Sequence, residues 1–172
     1  MLIFFMMTQF IQASKIDRDL ISACAEGKDN VDEIRSLIDK GADVNARTEE
    51  GESVLHLACI WGGADRIRML LNAGANPNFR ASKVASSLDM TPLSWCVYAG
   101  YDDAVREFLR DERTNVNLLV RKENGECMTP LDITFILGDF GKTTRELLEN
   151  AGALRSYEIE DDDLMPPSGC SE

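Results

Sequence analysis

The sequence has 172 residues, enough for one domain that buries roughly 70% of its unfolded surface, and 44% of it is apolar, which excludes disorder over most of the chain. The formal net charge is −12, and after Arg155 six carboxylates (Glu158, Glu160, Asp161, Asp162, Asp163 and Glu172) stand with no Lys or Arg among them. Such a chain repels phosphate backbones, which excludes direct nucleic-acid binding.

Residues 1–7 are apolar, but they lack a positive leading region and are too short to span a bilayer, so neither a signal peptide nor a membrane anchor is read there. Phe4, Phe5, Phe10, Ile11 and Ile16 are expected to form a helix over residues 1–16 that covers the open end of the domain; Met7 is itself a plausible start, which would make the first residues an upstream extension.

From residue 17 the chain repeats itself. Gly41-Ala42-Asp43-Val44-Asn45 returns as Gly74-Ala75-Asn76-Pro77-Asn78, 33 residues on, and more faintly as Thr114-Asn115-Val116-Asn117. Between these, phrases beginning at Ser53, Thr91 and Thr129 start 38 residues apart. Self-similarity of this period marks stacked helical units, none of which can bury its apolar face alone. Each unit reads as two antiparallel helices and a turn-rich excursion. In the second, Ser53 caps a helix carrying Leu55, Leu57, Ala58 and Cys59. Gly62-Gly63 breaks it, Ile67, Leu70 and Leu71 continue at helical spacing, and Gly74 supplies a left-handed C-cap. Thr91-Pro92 and Thr129-Pro130 open the third and fourth units with a capping hydroxyl and a proline where its missing N–H costs nothing. The excursions are uneven: 8 residues from Asn45 to Ser53, but 13 from Asn78 to Thr91 and 12 from Asn117 to Thr129. Residues 80–90 and 118–128 are therefore read as protruding fingers, the second with the hairpin signal Asn124-Gly125.

The starts at Thr91 and Thr129, Leu55-His56-Leu57-Ala58-Cys59, the break glycines Gly27, Gly62, Gly100 and Gly138, and the Gly41 phrase together resemble the ankyrin repeat family over about residues 17–156. The resemblance implies an all-α solenoid of four helix-turn-helix units with β-hairpin-like fingers. The first unit departs from the pattern at its start and has extra residues at Lys28-Asp29-Asn30; the third has Asp111-Glu112-Arg113-Thr114 in place of the terminal glycine. Residues 157–172 read as an acidic disordered tail.

By that resemblance, the function is protein binding on a concave face, as adaptor, scaffold or stoichiometric inhibitor. Carried over by position, the exposed ends of the first helices are Ala25 and Glu26, Ile60 and Trp61, Tyr98 and Ala99, and Ile136 and Leu137. Ile60, Trp61, Tyr98, Ile136 and Leu137 make an apolar row where a solvated row would carry charge, and Trp and Tyr are favoured anchors. Glu49, Glu50 and Glu52 on the first finger add carboxylates beside it, so the partner is expected to present a basic, partly apolar segment, a lysine-containing tail included. Two bland readings stand alongside: the aromatic side chains fold back on a neighbouring helix, and the three glutamates are a solvated turn. Trp95 is expected to point inward.

No catalytic set assembles. His56, the single histidine, is read as structural, and no phosphate-binding glycine loop is present. No cofactor or metal is expected: zinc lacks ligands. Cys24, Cys59 and Cys96 recur at unit spacing and are read as buried thiols, which with no disulfide pattern points to a reducing compartment, cytoplasm or nucleus, and a monomer with no membrane contact. Two alternatives remain: a structural spacer whose tail does the binding, or a redox sensor using Cys127.

Overall fold

The computed structural model describes residues 14–27, 30–61, 63–81, 89–121 and 126–159. Residues 1–13, the expected leading helix, lie outside these, as do Lys28, Asp29 and Gly62, residues 82–88, Asn124-Gly125 and the acidic run from Glu160. Ile16, expected in the leading helix, is instead in the first turn of the first unit, half-buried against the core.

Four helix pairs succeed one another in chain order: α1 (Lys15–Ala25) and α2 (Val31–Asp39), α3 (Val54–Ile60) and α4 (Ala64–Asn72), α5 (Pro92–Ala99) and α6 (Asp102–Arg110), α7 (Pro130–Ile136) and α8 (Lys142–Asn150). A 3-10 turn at Gly138–Gly141 joins α7 to α8, and another at Ser156–Glu158 comes after α8. The first helices pack on one another in succession, as do the second helices, giving two layers around one core. Leu20, Ile34, Leu55, Ile67, Leu93, Phe108, Ile133 and Leu148 are all buried in it.

Local chemistry sets the helix starts. Ser14 and Asp17 form a reciprocal capping box on α1, with the Asp17 N–H donating to Ser14 Oγ (3.2 Å) and the Ser14 N–H to Asp17 Oδ2 (3.0 Å). Thr91 and Thr129 accept from the N–H groups of Ser94 and Asp132, each at 3.2 Å, with proline in the first turn. Gly74, one residue past the α4 cap, has φ +95°, the left-handed conformation expected of it.

The repeated Asn/Asp phrase has a structural reason. The Asp43 N–H donates to Asp17 Oδ1 (2.8 Å), Asn76 N–H to Asn45 Oδ1 (2.8 Å), Asn115 N–H to Asn78 Oδ1 (2.9 Å) and Leu154 N–H to Asn117 Oδ1 (2.8 Å). Each unit thus satisfies a turn amide of the next, which fixes the spacing of the stack.

The fingers take hairpin form where they are described. Arg47 bridges Ser53 in the first, and β1 (Val120–Arg121) pairs antiparallel with β2 (Cys127–Met128) in the third, Val120 opposite Met128. Arg47 also lies over the Phe79 ring, 3.7 Å from its centroid, tying the first finger to the second.

The cysteines depart from expectation. Cys59 and Cys96 are disulfide-bonded across α3 and α5 with Cα atoms 5.0 Å apart, and Cys127 is disulfide-bonded as well. Cys24 alone keeps a free buried thiol among the described residues, its pKa pushed up to about 12 by burial. Successive first helices pack closely enough to bring residues from neighbouring units into bonding range, which spacing along one chain does not reveal.

Candidate partner-binding face

The C-terminal ends of α1, α3 and α5 and the turn after α7 share one edge of the array, because each first helix ends at its break glycine. Peptide carbonyls at these ends have no intrahelical partner, and side chains from the next unit satisfy several. Trp61 Nε1–H donates to the Ala25 carbonyl (2.8 Å), Arg66 Nη1 to that of Glu26 (2.7 Å) and Tyr101 Oη–H to that of Ile60 (3.2 Å).

Trp61 is the best-defined of the anchors. Its indole lies over Gly27 so closely that a Cβ there would meet ring atoms at 2.8 Å, yet the residue stays 54% exposed. It therefore folds back on its neighbour and presents an aromatic surface at the same time; the two readings of this residue are not exclusive. Tyr98 is 59% and Ile136 63% exposed, while Ile60 at 37% stands at the margin. Leu137 is a correction: it caps α7 half-buried against the core, so it does not anchor an outside partner.

Sequence reasoning missed two aromatic residues on the fourth unit. Phe140 is 92% exposed on the Gly138–Gly141 turn, and Phe135 is 43% exposed. Arg145 and Arg155 both lie over the Phe135 ring, 4.0 and 3.9 Å from its centroid, an arrangement that joins α7, α8 and the segment after α8. The glycine-flanked Gly138-Asp139-Phe140-Gly141, longer than the other breaks, was the available signal for Phe140.

The glutamates form the tip of the first finger. Glu49 and Glu50 are exposed at a turn closed by the Gly51 N–H on the Thr48 carbonyl (3.0 Å), and Glu52 is half-buried. Burial first, then the neighbouring Glu50, push the Glu52 carboxyl above its ordinary range. The finger enters α3 at its start, whereas Trp61 stands at its end, so a seven-residue helix, about 10 Å of rise, separates them.

His56 is held at the finger base. Its Nδ1 accepts the Ser53 N–H (3.0 Å) and its Nε2 lies 3.0 Å from the Met90 carbonyl, to which it donates. Burial lowers its pKa to about 4, so it is neutral. Trp95, expected inward, is only half-buried, its ring edge-on to His56 at 6.4 Å. In the fourth unit Asp132 replaces this histidine; burial opposes its ionisation, but hydrogen bonds from Thr129, Arg155 and Ser156 outweigh that and hold its pKa low. Among the described residues no group of three or more His, Cys, Asp or Glu is placed to hold a metal ion, and no helix is long and apolar enough to cross a membrane.

The paired helices, the hairpin fingers, the Thr-Pro caps and the amide ladder occur together in one fold, and the family model for ankyrin repeats (many copies) matches residues 20–71. These units are ankyrin repeats. The human ankyrin repeat domain-containing protein 63 is 30% identical over 105 residues, 61% of this chain and 26% of that protein. The Drosophila melanogaster neurogenic locus Notch protein is 35% identical over 85 residues, 49% of this chain and 3% of its own. The Arabidopsis thaliana E3 ubiquitin-protein ligase KEG is 32% identical over 117 residues, 67% of this chain and 7% of its own. The chain thus spans about a quarter of the length of the first of these relatives and far less of the others. Ankyrin repeats are generally protein-interaction modules and typically non-enzymatic.

Proposed function

We propose that this ankyrin array binds one partner protein along the edge formed by Trp61, Tyr98 and Ile136, with Ile60 at the margin, and acts as an adaptor or stoichiometric inhibitor rather than as an enzyme. The observation that carries this reading is the state of Trp61. Its N–H is used on the Ala25 carbonyl and its ring is fixed over Gly27, so a large aromatic surface is held rigid and more than half exposed. A preorganised aromatic surface binds at low entropy cost. Glu49 and Glu50 favour a partner that also carries basic residues, reaching from the edge toward the first finger. The array acts as a monomer in the cytoplasm or nucleus, without cofactor.

The test is a pull-down with three baits: the intact chain, Trp61→Ala/Tyr98→Ala, and a chain ending at Ser156. Loss of the partner with the double substitution alone supports the edge. Loss on truncation alone means the acidic tail does the binding and overturns the proposal.

A further inference from the structure

Five of the large apolar side chains exposed among the described residues, Phe135, Ile136, Phe140, Leu154 and Tyr157, belong to the fourth unit. The last unit of a stacked array has no successor and needs a polar outer face; this one lacks it. A cleft of about 550 Å³ opens beside these residues, lined by Glu126, Cys127, Phe135, Ile136, Arg155 and Ser156. Arg145 and Arg155 stand over Phe135, with Asp132 and Glu126 as the acidic groups nearby. Cys127 at the cleft is disulfide-bonded. Of the five cysteines in the sequence, Cys59 and Cys96 are bonded to each other and Cys24 is free, which leaves Cys170 as the partner the chain itself offers.

We propose that residues 160–172 fold back over the fourth unit as its cover, tethered by a disulfide between Cys127 and Cys170. Ser156 lines the same cleft as Cys127, so the chain passes the cleft shortly before this segment begins. The eleven residues after Ile159 that end at Cys170 reach as far as about 36 Å, ample for the return. The composition of the segment suits the surface. Asp161, Asp162 and Asp163 offer carboxylates to the two guanidinium groups, and Leu164 and Met165 offer apolar area to Phe135 and Ile136. The bond forms by thiol–disulfide exchange: the two cysteine thiols give up two protons and two electrons to a glutathione disulfide, which leaves as two glutathione thiols. The cover does not depend on which partner the edge binds.

The intact 172-residue chain, equilibrated with glutathione disulfide and alkylated, is digested without reductant and the linked peptides are identified by mass. A peptide pair joining Cys127 to Cys170 is expected, and Cys170→Ser should leave Cys127 open to alkylation while the Cys59–Cys96 link persists. Cleavage by a protease at Leu164 and Met165 should be at least about tenfold slower in the oxidised chain than in the reduced one, since a covered segment must open before it is cut. Alkylation of Cys127 in the oxidised intact chain overturns the proposal, as does a link between Cys127 residues of two molecules. Equal cleavage of oxidised and reduced chains overturns it too, because a tether alone would then be present without a cover.

Discussion

Trp61 shows how one side chain serves both the stack and the surface. Replacing it with alanine removes a hydrogen bond to the Ala25 carbonyl as well as the exposed ring, so Trp61→Ala should lower urea stability by about 1 kcal/mol and partner affinity by about 2 kcal/mol or more. Denaturation and calorimetric titration of the same samples separate the two effects; a stability loss with unchanged affinity removes Trp61 from the binding edge. Gly27→Ala probes the same contact from the other side. Its Cβ would press on the indole at 2.8 Å, so the tryptophan emission should shift and affinity should fall although position 27 offers a partner no side chain. His56 carries a pH prediction. Its pKa in the folded chain lies near 4, below the unfolded value of about 6.5, so the unfolded state takes up the proton first as pH falls. Stability is therefore fully present above about pH 6.5 and declines toward pH 4, by as much as about 3 kcal/mol from this group. Urea midpoints at pH 7 and pH 4.5, compared with those of His56→Gln, measure it.

The ladder of turn amides is the feature of the elements that holds successive units in register. Asn78 accepts the Asn115 N–H and donates its Nδ2 to the Arg113 carbonyl at 2.7 Å, so Asn78→Ala strips two inter-unit bonds and should cost about 1–3 kcal/mol. Because the damage falls at one joint, hydrogen exchange should rise most between the second and third units; a uniform rise would show that the joint is not local. The Cys59–Cys96 bond spans 37 residues of sequence at that same joint. Closing a loop of that size is worth about 4 kcal/mol in the chain-entropy model, so reductant should lower the urea midpoint of the natural chain and leave Cys59→Ser/Cys96→Ser unchanged.

Across the whole molecule the surplus of negative charge governs encounter more than grip. A basic partner should associate faster at low salt, and its on-rate should fall steeply as ionic strength approaches 0.15 M, where the Debye length is about 8 Å. Dissociation, set by the buried apolar contacts, should change little. Stopped-flow binding at several salt concentrations checks this, and an off-rate that carries the salt dependence would place charge, not Trp61 and Tyr98, at the centre of the interface.

The architecture was legible in the sequence because every unit repeats the same local solutions: the hydroxyl caps at Thr91 and Thr129, the left-handed glycine at Gly74, and the Asn/Asp phrase whose side chains turn out to bond the next unit. Local rules of that kind act within a few residues and survive drift. The row of helix ends was legible for the same reason, since position in a repeat fixes which edge Trp61, Tyr98 and Ile136 share. Other features were settled only in the folded stack, by neighbours 25 to 42 residues away. The closure of Cys59 on Cys96, the indole resting on Gly27, the half-burial of Leu137 and Trp95, and the two arginines over Phe135 all depend on how one unit sits on the next, a geometry that no single copy of the repeat contains.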